Sequence, residues 1–124
     1  INRAIAPFVR LETCGSLSKN VQTYLLTHMD EAVTVTSLAA AMHFNTHHLS
    51  KTFKKQTGIN LNDYITEMKM ARARLLIGQG RSKVSVIAEL LGFHDAGYFS
   101  RLFRERVGQT PTEYRRSIVW FHPG

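Results

Sequence analysis

Within this chain one pattern is written twice. Leu38-Ala39, Phe44, Leu49-Ser50, Phe53-Lys54 and Gly58 are echoed in order by Ile87-Ala88, Phe93, Phe99-Ser100, Phe103-Arg104 and Gly108. The offset is 49 residues from Phe44 to Phe93 and 50 from Leu49 to Phe99, so the second copy carries one extra residue in its turn. The echo continues at 50, from Asn62-Asp63-Tyr64 to Thr112-Glu113-Tyr114. An ordered repeat of this kind specifies one structural unit built twice.

Each copy reads as a short helix, a tight turn and a second, basic helix. Small Ala39 and Ala88 let the two helices of a copy approach closely. Leu49 with Phe53, and Phe99 with Phe103, put apolar groups four apart on the inner face of the second helix. His48, Ser50, Lys51 and Thr52 then face outward in one copy, and Ser100, Arg101 and Leu102 in the other. That is the logic of a helix-turn-helix, whose second helix enters a major groove.

The rest of the chain is helical as well, and no alternating strand pattern persists; the fold class is all-α. Val21, Leu25 and Met29 form one stripe of a helix beginning near Ser18. Start signals follow at short intervals. Thr34 precedes a helix over Val35–His43, and Asn45 precedes Thr46–Thr57, which Gly58 ends. Asn60 precedes a long helix from Leu61 to about Gly78, and Thr110-Pro111-Thr112-Glu113 is a capping box with proline at the first helical position. On the long helix Leu61, Tyr64, Ile65, Met68, Leu75 and Leu76 form one stripe, and Met70, Ala73 and Ile77 another. Two stripes on one helix imply two bodies packed against it. The 17 residues 61–77 span about 26 Å, enough with offsets at each end to set two recognition helices one DNA turn, about 34 Å, apart. Residues 1–16, with Pro7 and the Gly15-Ser16 pair, read as a linker or the end of a preceding domain, and the chain as a piece of something longer.

Charge points the same way as the repeat. Of 16 Lys/Arg and nine Asp/Glu, three of each fall in residues 1–50, which leaves 13 and six for residues 51–124. A positive field confined to one region favours polyanions, nucleic acid first and an anionic membrane surface second. A hydrophobic content of 44% with three prolines argues against disorder. One cysteine, Cys14, excludes a disulfide scaffold, and no apolar run approaches the roughly 18 residues of a membrane span.

With these residues in view, the chain resembles the DNA-binding domain of the AraC/XylS family of bacterial transcription regulators. In the first copy the resemblance rests on Leu38-Ala39, Leu49 to Lys55, Gly58, Tyr64, Ala73 and Leu76. The family's most characteristic segment is matched by Ile87-Ala88, Gly92-Phe93, Tyr98 to Arg104, Gly108, Pro111 and Tyr114-Arg115. The resemblance implies seven helices over residues 17–124: a first helix-turn-helix subdomain (17–58), a linker helix (61–78) and a second subdomain (82–117). It further implies a monomeric domain of a cytoplasmic, nucleoid-associated activator, reading two successive major-groove segments of double-stranded DNA and positioning RNA polymerase. Sensing, and dimerisation where it occurs, would belong to a region upstream of residue 16. The operator, the regulated genes and the controlling signal are not written in these residues.

Three positions depart from the family pattern. Lys83 stands where a serine cap is common, so that helix is capped by Ser82 or starts raggedly. Lys69 replaces a common arginine and cannot make its planar fork of hydrogen bonds. His43 occupies a turn site where glycine is frequent; histidine tolerates a left-handed backbone better than most residues.

Carried over residue by residue, the resemblance implies base contacts from Thr46, His47, Ser50 and Lys51 in the first recognition helix. In the second, Ala96 and Gly97 sit where longer polar side chains are usual, leaving Ser100 and Arg101 as the main readers. The first subdomain is thus expected to discriminate bases, and the second to clamp the backbone. Lys54, Lys55 and Arg104 are expected on phosphates, with helix N-terminal amides adding to them; alone, Lys54 and Lys55 would read as a solvated helix face.

Other constellations are weaker. A helix break at Phe44-Asn45 separates His43 from His47 and His48, so no metal is expected. Cys14 has no activating partner, and no nucleophile–base pair or glycine-rich phosphate loop is present, so no cofactor and no enzymatic step are expected. Glu89, Asp95 and Glu113 read as helix-surface or cap residues, Phe44, Phe93 and Tyr114 as core, and Ile118–Phe121 as a tail packed on the domain. The competing function is a basic helical module that binds an acidic protein. Such a module has no need to repeat Ser50-Lys51 as Ser100-Arg101 on outward faces.

Overall fold

Hydrogen bonds at the helix starts divide the chain where its cap residues predict. The computed structural model describes residues 16–28 and 31–121, and the described residues form seven helices and no strand. These are α1 (Ser16–Thr27), α2 (Val35–Ala41), α3 (Thr46–Thr57), α4 (Leu61–Gln79), α5 (Val84–Leu90), α6 (Ala96–Val107) and α7 (Pro111–Phe121). Met29 and Cys14 lie outside the described residues, as does the segment before Ser16.

Five starts are closed by side chains, that of α6 by Asp95. The Thr34 hydroxyl accepts from the Ser37 amide, and the Ser37 hydroxyl accepts from the Thr34 amide, a reciprocal box at the head of α2. Asn60 Oδ1 accepts from the Asp63 amide at α4. Thr110 and Glu113 form a second reciprocal box at α7, at 3.1 and 2.9 Å. Asn45 caps α3 through two amides. At α5 the cap position is Lys83, which makes no side-chain cap bond. Ser82 does not substitute for it; its carbonyl instead accepts from the Arg115 guanidinium.

The described residues fall into two units, one of 16–28 and 33–68, the other of 31–32 and 69–121, with the division inside α4. In the first unit α2 and α3 pack with α1 around Val21, Leu25, Leu38, Leu49 and Phe53, and the first half of α4 adds Leu61, Tyr64, Ile65 and Met68. Each such side chain buried in full contributes roughly 1.5–3 kcal/mol. Tyr64 stacks at a tilt on Phe53, with centroids 5.3 Å apart, and burial raises its phenol pKa above the ordinary range.

The second unit repeats this plan with rings. Phe93, Phe99, Phe103 and Tyr114 follow one another at 5.2, 5.9 and 5.7 Å over Ile87, Ala88 and the second half of α4, which supplies Met70, Ala73 and Ile77. Arg115 ties the unit together: its Nε donates to the Ile77 carbonyl at 3.0 Å and its Nη2 to the Ser82 carbonyl.

Four expectations need correction. Leu75 is 58% exposed, and Leu76 packs in the second cluster, not the first. The stripe is continuous in angle, but the first core ends at Met68, so nothing of it remains to cover Leu75. Phe44, at 36% exposure, is a surface ring, because it packs at a tilt on the exposed His48 and not against the first core cluster. Leu102 is half-buried against the second core, since its position lies beside the inner face occupied by Phe99 and Phe103. The helix begun at Val35 stops at Ala41, because Met42 and His43 already form the turn. Of the C-terminal tail, Ile118 is half-buried, and a Cβ on Gly78 would meet its Cδ1 at 3.3 Å; residues 119–121 have no described side chains.

Candidate nucleic-acid interface

Each candidate reading helix is held by the same turn. The Phe44 amide donates to the Ala39 carbonyl at 2.8 Å, and the Phe93 amide to the Ala88 carbonyl at 2.9 Å. The residue before each aromatic is left-handed: His43 at φ 61° and Gly92 at φ 92°. Ala39 and Ala88 are buried, so the backbones of the two short helices meet the turn without an intervening side chain. Both helices end at a left-handed glycine, Gly58 and Gly108, whose amides bond back to the Lys54 and Arg104 carbonyls.

On α3, Leu49, Phe53 and Thr57 are buried, and Thr46, His47, His48 and Lys51 are exposed. Ser50 is half-buried at the edge of that face. Lys54 and Lys55 lie in the last turn, both exposed. Asn45 Oδ1 accepts from the His47 and His48 amides at 2.8 and 3.2 Å, so the cap is a neutral amide and the positive end of the helix dipole is not offset by charge.

On α6, Phe99 and Phe103 are buried, while Gly97, Arg101 and Arg104 are exposed and Ala96 and Ser100 half-buried. Here the cap is a carboxylate. Asp95 Oδ1 accepts from the Gly97 and Tyr98 amides at 2.8 and 3.3 Å, which places a negative charge where α3 has none. Arg104 lies close enough to Glu113 to help hold that carboxyl below its ordinary range, after the hydrogen bonds from Thr110. All the expected phosphate residues are exposed, and within each unit the expected base residues lie on one face.

Three contributors were not evident from the pattern. Arg115, matched only as part of a motif, braces the C-terminal end of α4 and the loop before α5. Lys69 is half-buried, with Nζ 5.2 Å from the Phe93 ring centroid, and burial lowers its pKa. The space over Gly97 is shared by Asp95 and Arg101. The histidines have separate roles: His43 turns the backbone and His48 stacks on Phe44. Among the described residues no helix is long and apolar enough to cross a membrane.

A family model described as a helix-turn-helix domain matches residues 38–117, from the buried leucine of α2 into α7. The chain belongs to the AraC/XylS family. Within that family it is 33% identical, over 96 residues, to the bifunctional transcriptional activator/DNA repair enzyme AdaA of Bacillus subtilis, covering 77% of this chain and 46% of the relative. The C-terminal domain of the two-component response regulator YesN from Fusobacterium nucleatum superposes with a TM-score of 0.73 at 29% identity, covering 82% of this chain and 99% of that domain. The DNA-binding domain of the global transcriptional factor AdpA, solved in complex with a target DNA, superposes at 0.72 with 25% identity, covering 85% and 95%. This AraC/XylS chain spans between a third and a half of the length of the first curated relatives it matches.

Proposed function

We propose that this chain is the sequence-specific, double-stranded-DNA-binding part of a bacterial transcription regulator, entering successive major-groove segments with α3 and α6. The observation that carries the reading is the duplicated, capped second helix, each copy with an apolar inner face and an exposed basic outer one. Base edges are read by Thr46, His47, Ser50 and Lys51 on α3, and by Ser100 and Arg101 beside Ala96 and Gly97 on α6. Lys54, Lys55 and Arg104 take phosphates.

The first subdomain carries more of the base discrimination. Three longer polar side chains, His47, His48 and Lys51, are exposed on the first turns of α3, against Tyr98 and Arg101 on those of α6. The relative named as a transcriptional activator supports activation as the sign of regulation, through placement of RNA polymerase. Sensing and any dimerisation belong to other parts of a longer cytoplasmic protein, and the domain itself binds as a monomer with no enzymatic step.

A gel shift with a duplex selected from a random pool, against its scrambled counterpart, tests the reading. Preference for the selected duplex is expected, with log affinity falling against log salt at a slope near −5 if about six phosphates are neutralised. Equal affinity for both duplexes would remove sequence-specific recognition. Base-pair swaps across the selected site should cost more on the α3 side. Equal or larger losses opposite Arg101 would reverse the assignment.

A further inference from the structure

Gly97 is the second residue of α6, and its backbone is not in the left-handed region that favours glycine. Glycine is a poor helix former, so the local backbone gives no reason for it here. The surroundings do. A Cβ added at Gly97 would stand 3.1 Å from Asp95 Oδ1 and 3.5 Å from an Arg101 guanidinium nitrogen, Nη1. The Arg101 side chain therefore lies back over the first turn of its helix, the direction long helical side chains take, against Gly97. In the other copy the matching position is filled by His47, and the residue four further on is Lys51, a point charge without a fork.

We propose that Gly97 is a positioning residue for base recognition. It keeps the space over the first turn of α6 empty, so that the Arg101 fork rests over that turn and from there takes the O6 and N7 of one guanine. The inference rests on the reading of Arg101 as a base contact and adds how that contact is aimed. Its consequence is that one G·C pair opposite α6 is read through a pre-oriented arginine, and Gly97 itself touches no base.

The test uses the 124-residue chain and a duplex selected by it, with all four base pairs placed in turn at each position. The wild type should prefer one guanine by about tenfold opposite α6, and Arg101→Ala should abolish that preference. Gly97→Leu and Gly97→Gln should abolish the same preference, because their side chains occupy the guanidinium's resting place. Both residues favour helix more than glycine does, so thermal melting should show the fold retained. Gly97→Ala adds only a carbon at contact distance from the guanidinium and should keep most of the preference. In an Arg101→Ala background, Gly97→Leu should change nothing further at that position.

A preference that survives Gly97→Leu and Gly97→Gln but not Arg101→Ala overturns the role of Gly97 and leaves the reading by Arg101 intact. A loss spread evenly over all positions also overturns it, since that reports damage to the helix. If Arg101→Ala leaves every base preference unchanged, the assignment of Arg101 as a reader is itself wrong.

Discussion

The two helix-turn-helix copies solve one geometric problem with different residues. Both need a left-handed residue in the turn: the first uses His43 and the second Gly92. Around Gly92 there is no room for a choice, because a Cβ would meet the Ala32 Cβ at 2.7 Å and its Cα at 2.9 Å. The aromatic after the turn differs too. Phe44 stays at the surface on His48, whereas Phe93 heads a file of rings through the second core. A repeated sequence therefore conserves hydrogen bonds and helix spacing, while the packing around them diverges.

The turn residue gives the largest expected contrast. Gly92→Ala forces a left-handed alanine against backbone and should cost about 2–3 kcal/mol of stability. At the matching place His43→Gly removes the strain of a left-handed side chain, less the added freedom of the unfolded chain, and should gain about 0.5–1 kcal/mol. Urea titrations of both variants measure this. A harmless Gly92→Ala would show that the two turns are interchangeable after all.

Capping comes next in size. Thr34→Ala breaks the reciprocal box at α2 and should cost about 1 kcal/mol. Lys83→Ser supplies the side-chain acceptor that α5 lacks and should gain about the same amount. If both changes prove neutral, the short helices are held by packing alone and the difference between their starts is without consequence.

That contrast also shows what the sequence could disclose. Thr34, Asn45, Asn60 and Thr110 were legible as caps because the chemistry is local, and the helices begin where they stand. The outward faces of α3 and α6 were legible for the same reason: residues four apart must share a side. Phe44, Leu75 and Leu102 were not, because whether a surface ring or leucine finds a neighbour depends on where another helix stops. The Arg115 brace was hidden because its acceptors are main-chain carbonyls, which every residue has. The crowding of Asp95, Gly97 and Arg101 depends on a rotamer, which spacing does not encode.

A smaller effect appears in the second copy with pH. At α7 the Thr110 hydrogen bonds hold the Glu113 carboxyl below its ordinary pKa, with lesser help from Arg104 and Arg116. A depressed carboxyl stabilises the fold fully above its unfolded value, near 4.3, and loses that contribution as pH falls through the folded one. Glu113→Gln should therefore lower the melting temperature at neutral pH and flatten the acid limb, the variant and the wild type converging as pH falls below the folded value.

Lys69 offers the finest contrast, because in the second copy an aromatic lies beneath this linker-helix cation. Its ammonium stands 5.2 Å from the Phe93 centroid, within reach of the ring's negative face, and is half-buried. Burial lowers its pKa, which means the folded state carries a desolvation cost for the charge. That cost is present at neutral pH and is relieved as pH rises through the lowered value toward the unfolded one near 10.4. A guanidinium is more weakly hydrated and can lie flat on the ring, so Lys69→Arg should stabilise by about 0.5 kcal/mol at neutral pH. It should also remove the rise in stability on the alkaline side. Phe93→Leu keeps the apolar volume but not the ring's face, and in that background the gain from Lys69→Arg should vanish. A gain that persists without the ring would assign the benefit to the arginine's hydrogen bonds, and the second turn would then hold its linker no differently from the first.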